Sequence, residues 1–345
     1  MRLDSITIKD IAKALNLSYS TVSRALKDSY KISEETRRIV QEYADIHQYR
    51  PNLIAQSLKN KHSRSIGVVL CNIPNVFFAE VISGIESVAY NNDYLVIITQ
   101  SQESYEREMK NVQNLTWRSV DGLLVSLSTE SEDLSHFSKL HEQGLPIVFF
   151  DRVTDQLATH RVVADNRGGA YECTRHLIDS GYRKIAHITS SPHISITRER
   201  REGYEQALQE AGLAINETYI KYCMHGGMLP EEIGKAMDEL LLLPDPPDAL
   251  LCASDRLTMG CYSILRKKGL KIPDQMAIAG FSNFNSPELF CPSLTTIRQP
   301  AYEIGKTATE LLLELIESKR PPTEFTKKIF PTELFIRDST RKAGS

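Results

Sequence analysis

From residue 65 onward the chain alternates short apolar runs with longer amphipathic stretches, and that alternation excludes most folds. The runs read "IGVVLC", "YLVIITQ", "DGLLVSL" and "LPIVFFD", then "RKIAHITS", "PDALLCAS" and "MAIAGFS". Near-continuous apolar strands separated by helical segments predict parallel sheets covered on both faces, a doubly wound α/β body. Residues 166–294 repeat the strand-helix alternation of residues 65–165, so the expectation is two similar lobes rather than one large sheet. In such folds ligands sit beyond the carboxyl ends of strands, and between two lobes those ends can face one another across a cleft.

A chain of 345 residues, 41% of them hydrophobic, has room for two or three such units. No apolar run approaches the roughly 18 residues that a membrane-spanning helix needs. The opening "MRLDSITIKD" lacks the basic start and apolar stretch of a secretory signal, which predicts a cytoplasmic protein. Six cysteines are scattered without a CxxC pair, which suits reduced, buried thiols and implies neither a metal site nor a cofactor. Charge is unevenly distributed. Residues 1–64 carry twelve Lys/Arg against seven Asp/Glu, a net of +5, while the remainder carries 29 against 37, a net of −8. A basic front on an acidic body suggests a nucleic-acid-binding head.

That front reads as three short helices. In "TIKDIAKAL", Thr7 and Asp10 form a capping pair and Ile8, Ile11, Ala12 and Leu15 an apolar stripe. In "LSYSTVSRALKD", Val22, Ala25 and Leu26 make a packing face, and the opposite face carries Tyr19, Ser20, Ser23, Arg24 and Lys27 with no apolar side chain to bury. Only Asn16 and Leu17 separate the two helices, a tight turn in which Asn tolerates the left-handed conformation, and this is helix-turn-helix spacing. Ser33, Glu34 and Glu35 open a third helix. Pro51 then ends the pattern, and "YRPNLIAQSLKNKHSRS" reads as a basic linker.

Taken in order, "TIKDIAKALNLSYSTVSRAL", "YRPNLIAQSL", "FFDR", "VVADN", "RERREGY", "ASDR" and "SLTTIRQP" resemble the lactose and galactose repressor family of bacterial transcription regulators over essentially the whole chain. The resemblance implies a helix-turn-helix head (residues 1–49), a hinge helix or linker (50–64) and a two-lobed core similar to periplasmic sugar-binding proteins. The lobes are expected to comprise 65–166 with 295–323 and 167–294 with 324–338. It further implies a homodimer on a palindromic double-stranded operator, a repressor rather than an activator, and a carbohydrate or related metabolite as effector. Tyr19, Ser20 and Arg24 match the residues set against base edges, where an arginine can contact guanine bidentately. Thr7, Ser18, Thr21 and Ser23 suit phosphates, which position without carrying sequence information. In the linker, Leu58 matches a minor-groove wedge, with Ala55 beside it, Ile54 facing a partner chain and Asn52 also assigned to DNA.

For the effector, Phe77 and Phe78 either cover a ligand face or belong to the core. Arg200 is the leading candidate, since a guanidinium can hold two ligand oxygens at once. Asp151, Asp165 and Asp255 either reach the ligand or cap helices. Two departures stand out. "GFSNFN" places Ser282 and Asn283 where many relatives carry Asp, and "CMHGGML" offers His225 and Met228 where relatives stack an aromatic. The ligand is therefore either not a familiar neutral sugar or is held differently. A cytoplasmic solute-binding protein without a regulatory role is the alternative, disfavoured by the basic head. An enzyme is not expected, because no G-x-G-x-x-G turn, P-loop, nucleophile elbow or metal spacing occurs.

Overall fold

The computed structural model describes residues 6–26, 31–49, 62–318 and 324–342. It divides into two compact units, residues 1–63 and 64–345. The expected linker residues Asn52, Ala55 and Leu58, with Ile54, and also Lys27, lie outside the described residues.

The first unit contains α1 (Ile8–Ala14), α2 (Tyr19–Ala25) and α3 (Glu34–Ile46). Thr7 and Asp10 form the reciprocal capping box, the Asp10 carboxylate accepting the Thr7 N–H at 2.9 Å. Ser18 and Ser33 cap the other two helices through the N–H groups of Thr21 and Thr36. Asn16 takes the expected left-handed conformation at φ 51°. Ile11, Ala12, Val22, Ala25, Val40 and Ala44 meet in a small core, so the apolar faces legible in the sequence are the faces that pack.

The second unit is built on two six-stranded sheets. Its first half runs β1 (Ser65–Leu70), α4 (Val76–Asn91), β2 (Leu95–Gln100), α5 (Tyr105–Trp117), β3 (Gly122–Val125), α6 (Ser135–Glu142), β4 (Ile147–Phe150) and β5 (Arg161–Ala164). The second half runs α7 (Asn166–Asp179), β6 (Ile185–Thr189), α8 (Ser195–Glu210), β7 (Ile220–Tyr222), α9 (Pro230–Leu241), β8 (Ala249–Cys252), α10 (Asp255–Lys267) and β9 (Ala277–Phe281). The chain ends with β10 (Thr295–Arg298), α11 (Ala301–Glu317), β11 (Lys327–Phe330) and β12 (Glu333–Phe335). Sheet order is β11-β5-β4-β3-β1-β2 in one lobe and β12-β10-β9-β8-β6-β7 in the other, all parallel except the β10–β12 pair.

The chain crosses between the lobes at residues 165–166, 299–300 and 331–332. Two of these lie later than the sequence suggested. β10 pairs with β9 and so belongs to the second lobe, which moves the boundary from 295 to beyond Arg298. β11 pairs with β5 and so belongs to the first lobe, which moves the other boundary from 324 to beyond Phe330. The periodicity of "TTIR" or "KKIF" reports a strand but not its neighbour.

In the first lobe, α4 and α11 cross where Gly84 and Gly305 let their backbones touch: a Cβ on Gly84 would strike the Tyr302 carbonyl, and one on Gly305 the Val81 carbonyl. Gly305→Ala must push the helices apart and is expected to cost about 1–3 kcal/mol in a urea-unfolding measurement of the intact protein.

Candidate functional site

In the head, α2 leaves Tyr19, Ser20 and Arg24 exposed, with Thr21 and Ser23 partly covered at the margin. Tyr19 is 57% exposed although it is a large aromatic, which marks a face not required for packing. Ser18 Oγ lies 2.8 Å from Thr21 Oγ1 and 2.9 Å from Ser20 Oγ, so the three hydroxyls form one cluster at the start of α2. Thr7 is exposed and occupied as a cap, its hydroxyl donating to Asp10 at 2.6 Å.

In the core, the cleft is formed by the carboxyl ends of strands from both lobes. Three non-glycine residues there have left-handed backbones: Gln102 (φ 51°) and Glu103 (φ 62°) after β2, and Asp151 (φ 58°) after β4. Such conformations cost about 1–3 kcal/mol each and persist where surrounding structure holds them. Asp151 is buried and accepts from Ser126 Oγ at 3.2 Å. Burial raises its carboxyl above the ordinary value, opposed by Arg152 and Arg200. Beside it, Arg152 donates to Glu103 Oε2 at 2.7 Å, and the same oxygen accepts the Thr129 N–H at 3.0 Å.

Arg200 is buried, and all three of its nitrogens are engaged. Nε and Nη2 donate to Asn166 Oδ1 at 2.9 and 2.7 Å, Nη2 also to Gln299 Oε1 at 2.8 Å, and Nη1 to the Ala253 carbonyl. Its guanidinium lies 3.7 Å from the Phe281 ring centroid. Burial lowers its pKa to about 10, against the attraction of Asp151 and Glu199.

Asp255 is held at the start of α10, where Ser254 is the cap and the Asp255 carboxylate accepts the Asn283 N–H at 3.1 Å. Asn283 Nδ2 in turn donates across the cleft to Glu80 Oε2 at 2.7 Å. Ser282 is buried, its hydroxyl accepting the Phe284 N–H at 3.2 Å. A cavity of about 410 Å³ opens between the lobes here, with Asn75, Val76 and Ala79 on one side and Asp255, Met259 and Phe284 on the other. A second, of about 390 Å³, has Arg152, Glu132, His193, Ser195 and Arg198 in its lining.

The expected residues thus divide. Asp151, Arg200, Asp255 and Ser282 converge on the cleft. Phe77 and Phe78 sit in the first-lobe core, edge to face at 5.2 Å, and neither cavity is lined by them. Asp165 is the N-cap of α7, accepting the Gly168 N–H at 2.8 Å. Glu80, Glu103, Arg152, Asn166 and Gln299 were not singled out as site residues. Arg152 carries the same strand-end signal as its neighbour Asp151, whereas nothing in "SQES" announces the left-handed turn that aims Glu103.

A small helical head with a free polar face, followed by a two-lobed α/β core closing on a polar cleft, defines a DNA-binding regulator that carries its own small-molecule receptor. A family model described as "Bacterial regulatory proteins, lacI family" matches residues 7–52, and one described as "Periplasmic binding protein-like domain" matches residues 174–340. An HTH-type transcriptional repressor PurR of Vibrio campbellii is 32% identical over 338 residues, 97% of this chain and 99% of the relative. That of Photobacterium profundum is 32% identical over 337 residues, 97% and 98% of the two chains. Among solved structures, a transcriptional regulator CelR–cellobiose complex superposes with a TM-score of 0.72 at 25% identity, covering 97% of this chain and 99% of that one. A lac repressor dimer bound to operator and the anti-inducer ONPF shares the fold at TM-score 0.81 and 22% identity, over 98% and 100% of the two chains. The chain belongs to the lacI family of bacterial regulatory proteins.

Because Asp255 is raised in the folded state by burial, its ionised form costs stability at neutral pH, and the cost is relieved as pH falls through the raised value. Asp255→Asn keeps an acceptor for Asn283 and is expected to raise the melting temperature at about pH 7 but not at about pH 4, read from thermal denaturation across a pH series. Arg200→Met leaves Asn166, Gln299 and the Ala253 carbonyl without their donor, an expected loss of about 3–5 kcal/mol by urea unfolding.

Proposed function

We propose that the protein is a cytoplasmic transcriptional repressor that binds a palindromic operator as a homodimer and is controlled by a small-molecule effector, a carbohydrate or related metabolite, held between the two lobes. The observation that carries this reading is the pairing, in one chain, of a helix-turn-helix face left free of packing with a cleft of buried, strand-end polar groups. A solute-binding protein without regulation has no use for the first.

Tyr19, Ser20 and Arg24 read base edges, Arg24 as a bidentate donor to guanine. Thr7, Ser18, Thr21 and Ser23 fix the register on phosphates. Asn52, Ala55 and Leu58 belong to the linker that meets the minor groove. In the core, Asp151, Arg200, Asp255 and Ser282 shape the effector site, Arg200 by holding the lobe crossings rather than by offering free donors. Effector occupancy acts through differential affinity for two closure states, and four direct bridges between the lobes change with closure. These are Glu80 with Asn283 and Arg298, Val153 N–H with Ser195 Oγ, Glu132 with His193, and Lys327 with Glu199.

Selection from a random duplex pool by the purified full-length protein tests the reading. A palindrome with half-sites about one helical turn apart is the expected product, and Arg24→Ala is expected to weaken its binding by about 1–3 kcal/mol while relaxing preference at one base pair of each half-site. Salt-sensitive binding without any enriched sequence, with or without a metabolite extract, would overturn it.

A further inference from the structure

Helix α5 turns Glu108, Val112 and Leu115 inward, and the last two pack with Leu123 and Val125 of β3. Helical spacing makes residue 108 a core position, one that a leucine or methionine would fill if packing were all it served. It holds a fully buried carboxylate instead. Burying a carboxylate is tolerable only where its oxygens are spent on donors, and both donors here come from the loop that follows β3. Oε2 accepts the Ser128 N–H at 2.9 Å, and Oε1 accepts from Ser131 Oγ at 2.7 Å. His136 Nε2 stands 3.3 Å from Oε1 without hydrogen-bond geometry.

The loop held in this way is stitched to the cleft. Thr129, next to Ser128, donates its N–H to Glu103 Oε2 at 3.0 Å, the oxygen that also accepts from Arg152 Nη1. Leu127 donates its N–H to the Arg152 carbonyl at 3.2 Å, and its own carbonyl accepts from Arg152 Nη1 at 3.4 Å. Val153, the residue after Arg152, donates its N–H to Ser195 Oγ of the second lobe at 3.2 Å. Leu127, Ser131, Glu132 and Arg152 are in the lining of the cavity of about 390 Å³, whereas Glu108 is not.

We propose that Glu108 is a positioning residue of the cleft: from inside the first lobe it fixes the loop after β3 and, through Leu127 and Arg152, the place where Val153 meets Ser195. The inference rests on the reading of the cleft as the effector site. Glu108 touches nothing bound there and acts only by holding the wall and the bridge. A side chain that merely filled the core would, when lost, loosen the first lobe as a whole. Loss of a positioning residue leaves the buried Ser128 N–H without its acceptor and frees the loop and the bridge, while β1 and α4 stay closed.

Amide hydrogen exchange on the full-length protein, read by mass spectrometry at single-amide resolution, tests this without any ligand, so its failure leaves the effector-site reading standing. Glu108→Met is expected to speed exchange at Ser128, Thr129 and Val153 by about tenfold or more while β1 and α4 stay within about twofold of wild type. Glu108→Gln keeps an oxygen for the Ser128 N–H and is expected to restore most of the protection. Ser195→Ala is expected to speed exchange at Val153 by about tenfold in the wild-type background and by less than about twofold on top of Glu108→Met, because the bridge is then already lost. Unchanged exchange at Val153 in Glu108→Met would overturn the proposal, as would a rise spread evenly over the loop, β1 and α4, or effects of Glu108→Met and Ser195→Ala that simply multiply. Ser131→Ala, which removes only the bond to Oε1, decides the question on the same amides if Glu108→Met folds poorly.

Discussion

Arg200 joins Asn166 and Gln299, which lie on two of the three crossings between the lobes, to the Ala253 carbonyl at the end of β8. A guanidinium has five N–H donors in a fixed fork, and burying it is tolerable only when they are spent well. Here its partners are residues whose positions set where the chain leaves one lobe for the other. The bond pattern extends beyond the crossings, because Asn166 also donates to Glu199 at 2.9 Å and Gln299 donates its backbone N–H to Asn283 at 3.0 Å. From Asn283 the chain of contacts reaches Glu80 on α4 of the first lobe. The relation between the lobes therefore depends on one buried cation and the amides around it.

Around that cation the cleft collects groups that a purely structural core would avoid. Asp151 and Asp255 are buried carboxyls shifted upward by burial, and Gln102, Glu103 and Asp151 hold left-handed backbones. Each costs stability. The offset comes from ordinary packing elsewhere, in the apolar sheets and in helix pairs such as α4 with α11 that glycines bring into contact. Strain and burial concentrated at strand ends, with conventional packing behind them, is the distribution expected of a site selected for what it binds.

The sequence made local features legible and long-range ones less so. The capping box at Thr7, the left-handed Asn16 and the packing of Val22 against Ile11 each depend on residues close in the chain, and each was readable. The strands were readable because an apolar run of four to seven residues has few other uses. Sheet membership of β10 and β11 was not, since pairing is decided by residues more than a hundred positions away for β11. The same limit governs the site. Strand-end position put Asp151 and Asp255 at the cleft, but whether Phe77 turned inward to Val81 and Ile85 or outward to a ligand depended on helix orientation, and it turned inward. Glu103 depended on a backbone conformation that glutamate seldom adopts, so composition argued against it.

The bridges between the lobes are unequal, and their exposure ranks them. Glu132 with His193 has side chains 67% and 52% exposed, and Lys327 with Glu199 joins side chains 34% and 26% exposed. Pairs in water contribute about 0–1 kcal/mol, and salt screens them further. Asn283 is fully buried, and its amide is saturated by Glu80, Gln299 and the Asp255 contact through its backbone. Separating the lobes there would take Glu80 from one Nδ2 hydrogen of the buried Asn283, at about 1–3 kcal/mol for a donor left unpaired. Coupling between two ligand sites of one protein is typically about 1–3 kcal/mol. The surface pairs are too weak to supply that sum singly, whereas the buried contacts can, Glu80 with Asn283 where α4 meets the loop after β9 and Val153 with Ser195 where the loop after β4 meets α8, so any coupling of cleft occupancy to lobe closure has to run through these two.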